Sequence, residues 1–97
     1  MSALKAPQDH FTLLYFAAAT SHTHKQHDFF PAPLAVGQLY DILEKHYPGM
    51  RKRVLDSCAL TVNLEYVDVD EEASKGDEGL KIQSGDEVAV IPPVSSG

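Results

Sequence analysis

The run Gly85-Asp86-Glu87-Val88-Ala89-Val90-Ile91-Pro92-Pro93-Val94-Ser95-Ser96-Gly97 decides how this chain folds. Glu87 to Ile91 is a short apolar strand, and the two prolines after it end it, because neither nitrogen can donate to a strand partner. Beyond Val94 nothing bulky or charged follows, so the segment reads as a thin extended piece standing clear of the fold. From Pro93 to Gly97, at roughly 3.3 to 3.6 Å per residue, its reach is on the order of 16 Å. The other richly apolar run, Phe11 to Ala19, reads as a central strand with both faces largely covered. The two runs suit adjacent, parallel positions in one sheet.

The segments between them supply the rest of the architecture. Polar Thr20 to Asp28 leads to Phe29-Phe30, a short strand that Pro31 and Pro33 stop and confine to an edge, giving a hairpin. Val36, Leu39, Tyr40, Leu43 and Tyr47 form one apolar helical stripe, which Pro48 and Gly49 end near His46. A second short helix is predicted over Met50 to Ser57. Ala59 to Val67 alternates as a single half-buried strand, with Leu60, Val62, Leu64 and Tyr66 on one face. Asp68 to Glu78 carries six acids against Lys75 and reads as a loop; Leu80 to Gln83 is extended, and Ser84-Gly85-Asp86 a turn. This order predicts an α+β domain of β-grasp type, a mixed sheet crossed by one main helix, with a projecting C-terminus. Residues 1–10 are expected to be a flexible N-terminal segment, residues 11–91 the domain and residues 92–97 an exposed tail.

Composition narrows the function. With 97 residues, 43% of them apolar and 23% charged, the chain has the profile of one ordinary domain, with little room for an enclosed catalytic cavity. A formal charge of −6 disfavours nucleic acid, which needs clustered Lys and Arg. No apolar run approaches the roughly 20 residues needed to span a bilayer, and Met1 to His10 is not of signal-peptide type, so a cytosolic protein is expected. Cys58 is the only cysteine, which rules out an intrachain disulfide and a thiolate-rich zinc site.

The Gly-Asp-Glu-Val strand leading into a Pro-Pro tail resembles the C-terminal signature of the molybdopterin synthase small-subunit family, the sulfur carriers of molybdenum cofactor biosynthesis. Val62-Asn63-Leu64-Glu65-Tyr66-Val67 resembles that family's third-strand motif, and the element order agrees from Phe11 to Gly97. The resemblance implies a ubiquitin-like fold and a subunit without a catalytic pocket of its own. It further implies that an E1-like enzyme uses ATP to adenylate Gly97, a sulfur donor converts the adenylate to a thiocarboxylate (1-thioglycine), and no cofactor is stably bound. The tail residues Pro92, Pro93, Val94, Ser95 and Ser96 would then enter the large catalytic subunit, in a complex of two small and two large subunits. There the sulfur would build the dithiolene of molybdopterin from the cyclic pyranopterin precursor. The family usually ends in a glycine pair, and here Ser96 stands in its first position. Docking around the tail is expected to use Phe16, Val88, Val90 and Ile91. The alternatives are a ubiquitin-related carrier serving tRNA thiolation or lysine conjugation, and a non-carrier binding module in which Ser96 has ended activation.

Other groups read as structural. His22, His24 and His27 sit in a polar turn without readable support for a metal, and are expected to be solvated. The acidic stretch from Asp68 lacks the Gly and Glu that a calcium loop needs. Cys58 is expected in the core. Met50-Arg51-Lys52-Arg53 is a short basic patch whose role the sequence leaves open.

Overall fold

The computed structural model describes residues 5–92. Its centre is a five-stranded mixed sheet in the order β2-β1-β7-β4-β5. β1 (His10–Tyr15) pairs antiparallel with β2 (His27–Pro31) and parallel with β7 (Glu87–Ile91), in register from Thr12 opposite Glu87 to Tyr15 opposite Val90. The two most apolar runs of the chain thus lie side by side, as expected. β4 (Ala59–Val62) flanks β7 on its other side, and β5 (Glu65–Val67) closes the sheet. A small ladder of β3 (Leu34–Ala35) and β6 (Lys81–Ile82) stands apart.

The core lies between one face of this sheet and the helical connections. Phe11, Leu13, Tyr15, Leu60, Val62, Val88 and Val90 meet Val36, Leu39, Leu43, Met50 and Leu55, all of them buried. The helical stripe holds: α2 (Leu39–His46), entered through a 3-10 turn at Val36–Gln38, stops where Pro48 was expected to stop it. Gly49 then takes φ +88°, a conformation open to glycine, and launches α3 (Met50–Arg53), followed by a 3-10 turn at Leu55–Ser57. The Glu44 carboxylate accepts hydrogen bonds from the amides of Gly49 (2.8 Å) and Arg51 (2.9 Å), satisfying the start of α3 and holding its own pKa below the usual carboxylate range.

Three segments depart from the sequence expectation. The first strand ends at Tyr15 rather than Ala19, because Ala17 turns the backbone at φ 51° and the alanines continue as α1 (Ala18–Thr23). The Thr20 hydroxyl donates to the Tyr15 carbonyl and the Thr23 hydroxyl to that of Ala19, fixing the turn.

Ala59 to Val67 is a hairpin rather than one strand. Asn63 (φ 50°) and Leu64 (φ 73°) are its two left-handed turn residues. Partners across the pair share a face, and Thr61 lies opposite Tyr66. The reversal therefore carries Tyr66 away from the face of Leu60 and Val62.

The acidic stretch is helical. α4 (Val69–Ser74) starts at Asp68, whose carboxylate accepts from the Glu71 amide at 3.1 Å, and its acids crowd the helix end where negative charge is favoured. Buried Val69 anchors it, and a 3-10 turn follows at Gly76–Glu78. α4 packs so closely on the Val36–Gln38 turn that a Cβ on Gly37 would lie 2.5 Å from the Cα of Ala73.

Candidate functional site

β7 is held by β1 on one side and β4 on the other, down to the pair Ile91 opposite Ala59, so the root of the tail is fixed. Pro92 is exposed just beyond it. Pro93, Val94, Ser95, Ser96 and Gly97, on which the carrier expectation falls, lie outside the described residues.

Beside the root, on the sheet face turned away from the helices, an apolar groove of about 370 Å³ is lined by Leu14, Phe16, Leu64, Tyr66, Ala89 and Ile91, with Thr61 and Glu87. Phe16 is 46% exposed, Tyr66 63% and Leu64 87%, an unusual concentration of solvated apolar surface. Of the docking residues expected from sequence, Phe16 and Ile91 lie here. Val88 and Val90 do not: both are fully buried, because alternation along β7 sends them into the core and turns Ala89 and Ile91 outward.

The sequence reading missed Leu14, Leu64, Tyr66 and Ala89. Strand alternation was enough to find Leu14 and Ala89. Finding Leu64 and Tyr66 required recognising Asn63 as a turn former, since Asn tolerates the left-handed region. Asn63 also pins the hairpin tip to the start of β7. Its side-chain amide donates to Asp86 Oδ1 (3.1 Å), its side-chain carbonyl accepts from the Glu87 amide (3.0 Å), and its own amide donates to the Glu87 carbonyl (2.7 Å).

At the opposite end of the sheet, where the tail leaves, Asp28 ties β1, β2 and the end of α2 together. Its Oδ2 accepts from the Tyr15 hydroxyl (2.7 Å) and from the Tyr47 hydroxyl, and Lys25 Nζ lies 3.1 Å from Oδ1. Burial opposes its charge, but the two phenols and the ammonium outweigh burial and hold its carboxyl below the usual range. Burial, with Asp28 adding to it, drives the Tyr15 hydroxyl pKa well up.

The remaining singled-out groups are placed as follows. His27 packs on the Phe29 ring at 5.1 Å, and among the described residues no three His, Cys, Asp or Glu side chains are grouped to hold a metal ion. Cys58 is half-buried rather than a core residue, because the chain there has left the 3-10 turn for the start of β4; partial burial raises its thiol pKa. It lines a hollow of about 550 Å³ with Tyr40, Asp56 and Asp70, and burial pushes the Tyr40 hydroxyl up to about 12. Arg51 bridges Asp41 (3.0 Å) and Asp70 (3.6 Å) over the Tyr40 ring. No helix among the described residues is long and apolar enough to cross a membrane.

Comparison with known proteins fits this geometry. Residues 13–97 match the ThiS family. The chain is 53% identical over 97 residues to the molybdopterin synthase sulfur carrier subunit of Phaeosphaeria nodorum, covering all of both chains. Among solved structures, it superposes on a putative molybdopterin converting factor subunit 1 from Pyrococcus furiosus with a TM-score of 0.69 at 22% identity, covering 88% of this chain and 98% of that one. It superposes on a chain in the complex of subunits 1 and 2 of the molybdopterin-converting factor from Helicobacter pylori with a TM-score of 0.59 at 20% identity, covering 91% and 99%. These two structures share the ubiquitin-like β-grasp fold described above. The chain belongs to the ThiS family, among the molybdopterin synthase sulfur carrier subunits.

Proposed function

We propose that this chain carries sulfur on the carboxyl group of Gly97 and delivers it inside molybdopterin synthase, where the cyclic pyranopterin precursor becomes molybdopterin. The observation that carries this reading is the root of the tail: β7 is locked between two strands, ends at exposed Pro92, and stands at the rim of an open apolar groove. A rigid root with a thin end lets the domain dock on one surface while its terminus reaches a pocket on the partner. The family match extends through residue 97.

The chemistry asks little of the domain itself. The Gly97 carboxylate attacks the α-phosphate of ATP on an E1-like activating enzyme, and pyrophosphate leaves. Hydrosulfide released by a sulfur donor then attacks the acyl carbon of the adenylate, AMP leaves, and the S–H proton is lost to solvent. The resulting thiocarboxylate is a better nucleophile than the carboxylate it replaces. Glycine at the reacting position places no side chain between backbone and activating site, whereas the Cβ of Ser96 narrows the torsions open to position 96. The large subunit supplies the pterin pocket, and the H. pylori complex of subunits 1 and 2 supports such a partner. An assembly of two small and two large subunits in the cytosol completes the proposal.

Incubation with ATP, the cognate activating enzyme and a sulfur donor tests it by intact mass. Replacement of one oxygen by one sulfur is expected, and deletion of Gly97 is expected to abolish it while leaving large-subunit binding. An unchanged mass on the intact chain overturns the proposal.

A further inference from the structure

At the β5 edge of the sheet, the hollow of about 550 Å³ beside Cys58 takes no part in the carrier chemistry. α2 lends it Tyr40, the 3-10 turn before β4 lends Asp56, β5 lends Tyr66, and the start of α4 lends Asp68 and Asp70. Three carboxylates therefore line one concavity. Among the described residues the only ion pair that any of them makes is Asp70 with Arg51, at 3.6 Å. Asp56 is exposed, and Asp68 uses one oxygen to accept from the Glu71 amide.

Tyr40 sets this hollow apart from an ordinary acidic surface. It is only 8% exposed, yet among the described residues its hydroxyl makes no hydrogen bond, whereas the phenols of Tyr15 and Tyr47 both donate to Asp28. No side-chain nitrogen or oxygen among the described residues is both sealed from solvent and without a partner. The Tyr40 oxygen must then be open on some side, and the hollow it lines is that opening. Burial pushes this hydroxyl up to about 12, with the Cys58 thiol and the charges of Asp70 and Asp56 adding to it and Arg51 opposing. Both carboxylates thus act on the phenol, which at neutral pH keeps its proton and offers its lone pairs to a donor.

Carboxylates around a neutral acceptor select a cation. The lining acids are not grouped to hold a metal ion, whereas an organic cation can span acceptors set further apart. Arg51 shows how this corner receives one: its guanidinium lies 5.8 Å from the centre of the Tyr40 ring and bridges Asp41 (3.0 Å) and Asp70 (3.6 Å). A planar guanidinium suits oxygens and an aromatic face together. Within the hollow, Asp56, the second oxygen of Asp70 and the Tyr66 ring offer the same elements again. We propose that the hollow is a binding site for an alkyl guanidinium, which donates to Asp56, Asp70 and the Tyr40 hydroxyl.

NMR titration of the isotopically labelled intact chain with butylguanidinium tests this. Saturable shift changes are expected at Tyr40, Asp56, Cys58 and residues 66–70. Tyr40→Phe keeps the ring and removes the acceptor, and is expected to weaken binding about tenfold. Should its thermal midpoint fall, Asp56→Asn at an exposed position carries the same expectation. Butylammonium, with the charge but not the planar fork, is expected to bind more weakly than butylguanidinium. Shifts that grow linearly without saturating, or equal binding by the parent and both variants, overturn the site. A blocked Gly-Arg-Gly peptide separates the sources: binding as tight as that of butylguanidinium supports an arginine side chain of another protein, and binding of butylguanidinium alone supports a free small molecule. No activating enzyme enters the test, so its failure leaves the carrier reading untouched.

Discussion

The two faces of the central sheet are made by the same strands and have different fates. On the helical side, Phe11, Leu13, Tyr15, Leu60, Val62, Val88 and Val90 are at most 7% exposed. On the other, only Thr12 and Thr61 are comparably covered, while Leu14, Ala89 and Ile91 are half-buried and Phe16, Leu64 and Tyr66 open to water. Every helix of the core packs on the first face, so the second keeps its apolar groove uncovered beside the tail root. One face spends its apolar area on folding, and the other keeps it for a partner.

The sharpest way to break this division is to cut the same chemistry from each side. Leu13 is fully buried, so Leu13→Ala is expected to cost about 2 to 5 kcal/mol of stability through lost transfer energy and the cavity left behind. Urea denaturation measures this. A loss under 1 kcal/mol would mean that the helical face is not the core that holds the domain.

Phe16→Ala probes the other face. Its ring is 46% exposed, so unfolding free energy should change by less than about 1 kcal/mol. Affinity for the large subunit should fall at least tenfold, about 1.4 kcal/mol, if the ring is an anchor. Calorimetry on the two proteins reads both quantities, and unchanged affinity would detach the groove from docking.

What the sequence made legible follows the same division. The 3.6-residue stripe of α2 and the alternation of β7 were readable because each buries one face in a continuous core. The misreadings sit where local chemistry reversed the chain: at Ala17, where a left-handed residue ends β1, and at Asn63-Leu64, where a two-residue turn replaces a continued strand. An alternating pattern runs through such a turn without interruption, so periodicity placed Tyr66 on the wrong face. The helix within Asp68 to Ser74 was hidden by charge, because Val69 is its one buried residue and its stability draws on the Asp68 cap. Docking residues Val88 and Val90 were misassigned by adjacency to the tail, which ignores that neighbours along a strand face opposite ways.

Asp28 fastens the closed face at the exit end, and pH separates its contribution from packing. The folded carboxyl is held low, so its stabilisation is present above the ordinary aspartate value of about 3.9 and lost as pH falls through the lowered one. Asp28→Asn is expected to cost about 1 to 2 kcal/mol near neutrality, because the amide keeps one acceptor oxygen for the two phenols but loses the charge and the second oxygen that faces Lys25. The gap from the parent should narrow on acidification below about pH 4. Denaturation curves across pH test this, and a gap that stays constant or widens in acid would contradict it.

The smallest effect discriminates best, because it should have opposite signs in folding and docking. Leu64 holds φ +73° with its side chain 87% exposed, so the fold retains a left-handed, solvated leucine that contributes nothing to the core. Leu64→Gly removes the steric penalty at that backbone angle at the cost of a freer unfolded chain, and should leave stability unchanged or raised by about 0.5 kcal/mol. It also strips one wall from the groove beside Phe16 and Ile91, so binding of the large subunit should weaken. A variant that is as stable as the parent and binds less well places Leu64 on the partner's side of the division. One that loses stability and keeps its affinity would return Leu64 to the fold, as a residue the hairpin needs for its own turn.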